Sequence, residues 1–388
     1  MSSVDVIVPC YRYGHFLREC VESVLAQSLN DIRVLILDDA SPDNTAEVGA
    51  DLAREDSRVT LMRHDFNKGH IATYNEGIDW ASADYMLLLS ADDYLLPGAL
   101  DRAARLMESH PEVGFVFGKA MQVGVNGDFQ QMMTVPGIGE ETVVLAGRKF
   151  IQLSGVRDIV PTPTAVVRTT LLKRLGGYCD ALPHTADMEM WLRLAAHASV
   201  GVIGACQAVY RRHGNNMSLA YTATSRIPDL RHRNAALEHF LRTCGEMLPN
   251  ASRLRREMLW SLGCEAIGFA DVALDDEQTD ACDQLAHFAV SACPDLKRSI
   301  PMLKLLCRRK LREKNSHAAG GHFLRMLQAA KNWSSRELQR EMPGSDLSFD
   351  PSARLEHDRL IQGESPRLDE AHFLRQHGYA AQGHGRRG

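Results

Sequence analysis

The 388-residue chain has no apolar run long enough to span a bilayer. Met1-Ser2-Ser3-Val4-Asp5 has neither a basic start nor the apolar core of a secretory leader. It also lacks any Cys-x-x-Cys pair. Its nine cysteines are odd in number and scattered, which argues against a disulfide framework or a zinc ribbon and for a reducing cytoplasm. There is no excess of positive charge: the net charge of −5 gives no reason to expect nucleic acid as a partner. Phosphate-cradling loops are missing too. Neither Gly-x-Gly-x-x-Gly after the first strand nor Gly-x-x-x-x-Gly-Lys-[Ser/Thr] occurs, so a dinucleotide dehydrogenase or a P-loop NTPase is a poor fit.

What is present is a soluble globular composition, 45% apolar and 24% charged, on a chain long enough for one large domain or two ordinary ones. Val4 to Pro9 reads as a first strand, and Leu17, Val21, Val24 and Leu25 share one face of a helix over 16–27. A second buried strand, Ile32 to Leu37, ends in Asp38-Asp39, and Ser41 to Thr45 starts the next helix. A third strand over 58–63, a helix over 69–80, a fourth strand from Tyr85, a helix over 97–109 and a strand from Val113 to Phe117 complete the series. Such alternation predicts an α/β fold, a mostly parallel sheet with helices on both faces.

The fourth strand is the most informative stretch. Tyr85-Met86-Leu87-Leu88-Leu89 is an apolar run buried on both faces, and it stops at Ser90-Ala91-Asp92-Asp93. Carboxylates at the C-terminal end of a parallel strand lie where open α/β sheets bind ligands. Adjacent charges repel unless a cation or a donor holds them. With Asp38-Asp39 at a second strand end, the pattern points to a divalent metal carrying a phosphorylated ligand. The plain alternative is a pair of Asp-rich turns capping helices. Further on, residues 120–146 read as a hairpin or mobile loop, 161–167 as a strand entered through a rigid turn, and 200–212 as two short strands. Beyond about residue 220 only helical spacing remains, at 235–242, 253–270, 282–292 and 302–314. This divides the chain into 1–218, a helical region over 219–342, and a partly disordered tail over 343–388.

The order and spacing of several short motifs resemble the inverting, GT-A-fold glycosyltransferases of family 2 over the first 218 or so residues. They are Val-Ile-Val-Pro-Cys-Tyr (6–11), Ser-Val-Leu-Ala-Gln-Ser (23–28), Leu-Asp-Asp-Ala-Ser-Pro-Asp-Asn-Thr (37–45), Asn67-Lys68-Gly69 and Asn75-Glu76-Gly77. Ser90 to Asp93, Gly176-Gly177-Tyr178, Asp187 to Arg193 and Tyr210 to His213 complete the set. The resemblance implies a nucleotide sugar as donor. Asp39 would accept the N3–H of a uracil or thymine ring, with Pro9 and Tyr11 lining the base pocket, so a UDP- or dTDP-linked sugar is implied. Asp92 would bind ribose, and Asp93 would ligate Mn2+ or Mg2+ on the diphosphate, with His213 completing the metal shell. Lys68 and Arg211 would reach the nucleotide or its diphosphate. Asp187 matches the catalytic base, with Glu189 as the alternative two residues on, while Trp191 reads as core and Arg193 as a structural ion pair.

Three positions depart from the family pattern: Ser90 stands for the first Asp of Asp-x-Asp, Ala186 for Glu, and Tyr74 for Arg. They keep a non-catalytic nucleotide-binding reading in view, beside a nucleotidyltransferase that also uses paired Asp. The acceptor is implied to be a glycan, a lipid-linked sugar or a protein. The basic residues Lys304, Arg308, Arg309, Lys310, Arg312 and Lys314 among leucines suggest peripheral contact with anionic lipid on the inner membrane face, against a plain solvated helix face.

Overall fold

A computed structural model describes residues 2–135, 137–217, 221 and 226–314. The segment after residue 314, which includes the expected tail over 343–388, lies outside the described residues. The first half alternates as the periodicity predicts: β1 (Val4–Cys10), α1 (Gly14–Leu25), β2 (Ile32–Asp38), α2 (Thr45–Glu55), β3 (Val59–Arg63), α3 (His70–Trp80) and β4 (Tyr85–Leu88). β1 pairs in parallel with β2 and with β4, and β2 with β3. The C-terminal ends of these strands therefore open on one edge, and Asp38-Asp39 and Asp92-Asp93 follow directly from them.

The second half makes the sheet mixed. It comprises β5 (Tyr94–Leu95), α4 (Ala99–Ser109), β6 (Val113–Gly124), β7 (Phe129–Met133), β8 (Val143–Leu145), α5 (Gly147–Ser154), β9 (Val166–Arg168), α6 (Thr169–Leu175), α7 (Ala186–His197) and β10 (Ser199–Arg212). The strand order is β3-β2-β1-β4-β9-β6-β10-β5. β9 lies antiparallel between β4 and β6, while β6 and β10 are parallel. The 120–146 segment contains a hairpin, β6 to β7, as expected. The two short strands expected over 200–212 are one continuous strand of 14 residues. Its register against β6 slips between Ile203, Cys206 and Ala208, so the strand bends and continues where the sequence pattern suggested a break. Gly204 sits at the bend, where a Cβ would lie 2.0 Å from the carbonyl oxygen of Glu140.

Alternation along each strand fills two cores. Val4, Val6 and Val8 pack with Leu17, Val21 and Val24 of α1 on one face. Ile7, Phe115, Phe117 and Trp191 lie on the other. The second core does not end with the sheet. Leu237 and Phe240 of α8 (Ile227–Cys244), Leu262 of α9 (Ala251–Asp275), Leu285 of α10 (Thr279–Ala292) and Met302 of α11 (Ile300–Lys314) belong to the same buried cluster. The helical region is thus packed on one face of the sheet by continuous apolar contact.

The arginines of α11 are committed within the protein. Arg308 pairs with Asp271 and Asp275, Arg309 with Asp283, and Arg312 with Asp275 at 2.7 Å. That pairing answers the basic pattern of this helix from inside the fold. Lys304 and Lys310 remain exposed. Among the described residues no helix is long and apolar enough to cross a membrane.

The shared core has a measurable consequence. Phe240 is fully buried, and Phe240→Ala should cost about 3–5 kcal/mol. Differential scanning calorimetry should show one transition shifted down as a whole. A separate low-temperature transition with the main one unmoved would show that the helices fold apart from the sheet.

Candidate active site

Two tight turns start the site. β1 and β2 run side by side with Cys10 opposite Asp38. Just past their ends Arg12 (φ 66°) and Ala40 (φ 56°) adopt the left-handed region without being glycine. Such backbone strain persists only where surrounding bonds over-determine it. Here the Arg12 amide donates to Ser41 Oγ at 3.1 Å, the Ser41 amide to Asp38 Oδ1 at 2.8 Å, and the Gly14 amide to Asp43 Oδ2 at 3.1 Å. The stitched turns leave Tyr11 exposed and Pro9 half-buried.

Asp39 is buried and held from the next strand end. Its Oδ1 accepts from the Lys68 amide at 2.7 Å and lies 2.7 Å from His64 Nδ1, and its Oδ2 accepts from the Gly69 amide at 3.0 Å. Gly69 (φ 85°) is the residue before α3, so the carboxylate sits at that helix's N-terminus. Burial alone would raise the Asp39 carboxyl. The His64 and amide bonds outweigh it and hold the group below its ordinary value, ionised and ready to accept one more donor. Lys68 enters the site through this amide, since its ammonium pairs with Glu76 at 2.7 Å. His64 Nε2 lies 3.1 Å from the same Glu76.

At the end of β4, Asp92 and Asp93 are both buried. Asp93 Oδ1 accepts the Arg211 amide at 2.9 Å. Burial, and then the charge of Asp92, push its carboxyl far above the usual range despite that bond. Asp92 Oδ2 lies 3.0 Å from His213 Nε2. The His213 ring is fixed on its other side, where Nδ1 accepts the Asn215 amide at 3.2 Å. The Nε2 proton therefore belongs to the bond with Asp92, and in this arrangement His213 is a donor to Asp92 with no lone pair open to a cation. Arg211 also differs from expectation. Its guanidinium is buried, bonds Glu19 at 2.7 Å and stacks on Phe16, so it reaches the acidic pair through its amide and not its side chain.

Two adjacent buried carboxylates are the donor set a hard divalent cation takes. Among the described residues no three His, Cys, Asp or Glu groups already converge on one point. Such a site fits a metal that draws its other ligands from water and phosphate.

The third acidic position is Asp187, in the first turn of α7, where its Oδ1 accepts the Met188 amide at 2.8 Å. It does not stand alone. Asp158, on the loop after α5, hydrogen-bonds its carboxyl to that of Asp187 and accepts the Val160 amide at 3.0 Å. Asp158 is exposed and Asp187 half-buried. Desolvation, and then the charge of Asp187, push the Asp158 carboxyl well above the usual range. Asp187 is raised by burial, with the Met188 amide, the bond from Asp158 and the nearby His184 working against the rise. Nothing in the motif pattern flagged Asp158, which sits in a stretch without periodicity.

Tyr74 and Tyr178 connect the two halves. Their rings meet edge to face at 5.3 Å. Burial, then Asp92 and Asp187, raise the Tyr74 phenol, which therefore lies within reach of both acidic groups and stays protonated. Asn75 clamps Tyr178 by its amide (2.7 Å) and carbonyl (3.0 Å). Glu189 is sealed from solvent, bonded to Arg193 at 3.0 Å, and Arg193 also donates to the carbonyls of Leu175, Gly176 and Gly177. Trp191 is in the core.

Residues 5–176 match the sequence profile of glycosyl transferase family 2. The uncharacterized glycosyltransferase EpsJ of Bacillus subtilis is 33% identical over 107 residues, 28% of this chain and 31% of that protein. A Campylobacter jejuni enzyme, GalNAc(5)-diNAcBac-PP-undecaprenol beta-1,3-glucosyltransferase, is 29% identical over 122 residues, 31% of this chain and 39% of that protein. The chain thus spans about a third of the length of these relatives. The crystal structure of S. aureus TarS 1-349 in complex with UDP-GlcNAc superposes with a TM-score of 0.58 at 16% identity, over 86% of this chain and 92% of that one. Residues 5–176 thus form a glycosyl transferase family 2 domain, and the strand order and the TarS superposition give the chain a GT-A fold.

Proposed function

We propose that the protein is an inverting, metal-dependent glycosyltransferase. It moves a sugar from a UDP- or dTDP-linked donor to a hydroxyl of a glycan, lipid-linked or protein acceptor. The observation that supports this reading is the buried Asp92-Asp93 pair past the end of β4, with Tyr74 close enough to feel both that pair and Asp187. TarS, solved with UDP-GlcNAc, and the Campylobacter enzyme, named for an undecaprenol-linked acceptor, support a UDP-sugar and a lipid-linked class respectively.

In this reading the free acceptor capacity of Asp39 takes the N3–H of the pyrimidine, and Pro9 and Tyr11 flank the base. Asp92, oriented by His213, meets the ribose. Asp93, with Asp92 beside it, would hold Mn2+ or Mg2+, which when bound neutralises the diphosphate leaving group. Asp187 removes the proton from the acceptor hydroxyl as that oxygen attacks C1, and the nucleoside diphosphate departs from the opposite face. One attack from behind gives inversion. A carboxyl raised by burial suits a base that must gain a proton in the transition state. The protonated Asp158 donates to Asp187 and keeps it aimed.

Incubation with UDP-sugars and undecaprenyl-diphosphate-linked acceptors tests this directly, with NMR reading the anomeric configuration of the product. Inverted product is expected, and Asp187→Asn should lower transfer by about 10²–10⁴-fold while UDP still binds. Retained configuration, or transfer intact in Asp187→Asn, would refute the mechanism.

The Asp158–Asp187 bond sets the sign of a pH effect. Asp158 lowers the Asp187 value by donating to it. Asp158→Ala removes the donor, so the acid limb of the rate profile should move to higher pH. Asp158→Asn keeps an N–H donor and should leave the limb near its wild-type position. Identical limbs in all three proteins would show that the pair does not tune the base.

A further inference from the structure

Behind α7, on the side away from Asp187, the protein has a cavity of about 360 Å³. Arg174, Cys179, Arg193, His197, His239 and Cys244 line it. Three elements meet there: the loop carrying Cys179, helix α7 carrying Glu189, and α8 carrying His239. His239 Nδ1 lies 3.2 Å from Glu189 Oε1, and His239 Nε2 lies 3.7 Å from Cys179 Sγ.

The hydrogen-bond roles follow from the buried acid. Glu189 is fully buried and ion-paired with Arg193, so its carboxylate only accepts. It fixes the His239 proton on Nδ1. Nε2 is left as an acceptor, and the Cys179 thiol donates to it. This is the arrangement of an activated nucleophile: a thiol, a base within reach, and a third group orienting the base. Glycosyl transfer makes no use of it, since Asp187 faces the other side of the same helix.

We propose that Cys179 is the nucleophile of a thiol-exchange site that takes small anionic disulfides from this cavity. Two features favour an anionic ligand. Among the described residues no carboxylate pairs with the exposed guanidinium of Arg174, and the one acid adjoining the cavity, Glu189, is already matched by Arg193. In the exchange, Cys179 Sγ passes its proton to His239 Nε2 and attacks one sulfur of the disulfide. The S–S bond breaks, the departing thiolate takes the proton back from His239, and Cys179 remains as a mixed disulfide. Cys179 is oxidised and the leaving half is reduced, so no further reagent is needed. Tyr178, the residue before Cys179, is clamped by Asn75 and lies within the electrostatic reach of Asp187, so an adduct here would press on the segment that shapes the acceptor side.

The test is exposure of the full chain to oxidised glutathione or to cystamine, a cationic disulfide, with peptide mass mapping over time. Cys179 should be modified ahead of the other half-buried thiols, Cys206, Cys264 and Cys307, and faster by glutathione than by cystamine. His239→Gln should slow it at least about tenfold with the melting temperature unchanged. If Cys179 in the wild type reacts no faster than those three, the nucleophile assignment fails, and this comparison needs no variant. Equal rates with cystamine would overturn the preference for an anionic disulfide, and an unchanged rate in His239→Gln would overturn the role of the imidazole.

Discussion

Like charge gathered at one sheet edge is the constraint on which the rest of this structure depends. Asp38, Asp39, Asp92, Asp93 and Asp187 arise at strand ends or a helix start, Asp158 on a loop beside Asp187, and each must be held against its neighbours. The fold uses a different device for each. Asp39 is kept ionised by two amides and an imidazole at the start of α3. Asp158 and Asp187 share a proton. Asp92 and Asp93 have the least compensation, one backbone amide, one imidazole and a long 3.4 Å bond from the Asn216 side chain between two buried carboxylates. The place where the protein leaves negative charge least balanced is the place where a cation and a diphosphate are expected.

The helical region contributes to this balance from behind. Arg233 of α8 donates to the Val156 carbonyl and pairs with Glu265 of α9, which also meets Arg157. Asp229 of α8 bonds His184, just ahead of Asp187. The loop that carries Asp158 and the approach to α7 that carries Asp187 are therefore anchored by buried or half-buried charge from the C-terminal helices. Together with the shared apolar core, this makes those helices part of the support of the Asp158–Asp187 pair and not an appendage. The α11 arginines serve the same packing, paired with acids of α9 and α10.

Much of this was legible in the residues. Short continuous apolar runs ending in Asp pairs located the parallel half of the sheet and its acidic edge, because a buried strand leaves few other readings. Asp39, Asp92, Asp93 and Asp187 could be singled out because short motifs of fixed order carry them. Other features were not legible, for physical reasons. β10 reads as two strands because a bulge at Gly204 interrupts its alternation without ending it. Arg211 looked like a diphosphate ligand, but Glu19, 192 residues away, claims its guanidinium, and no local pattern reports so distant a partner. His213 meets Asp92 through Nε2 while the Asn215 amide takes Nδ1, an arrangement set by chain neighbours in space. Asp158 and His64 lie in loops, where function depends on what the chain meets in space.

The central claim is that the buried acidic pair is completed by a divalent cation together with a pyrimidine nucleotide. Calorimetric titration of UDP with and without Mn2+, on the wild type and on Asp93→Asn, tests it most directly. The account predicts UDP binding that strengthens with Mn2+ in the wild type and loses that dependence in the variant. Binding that ignores Mn2+, or a Mn2+ effect that survives Asp93→Asn, would contradict it.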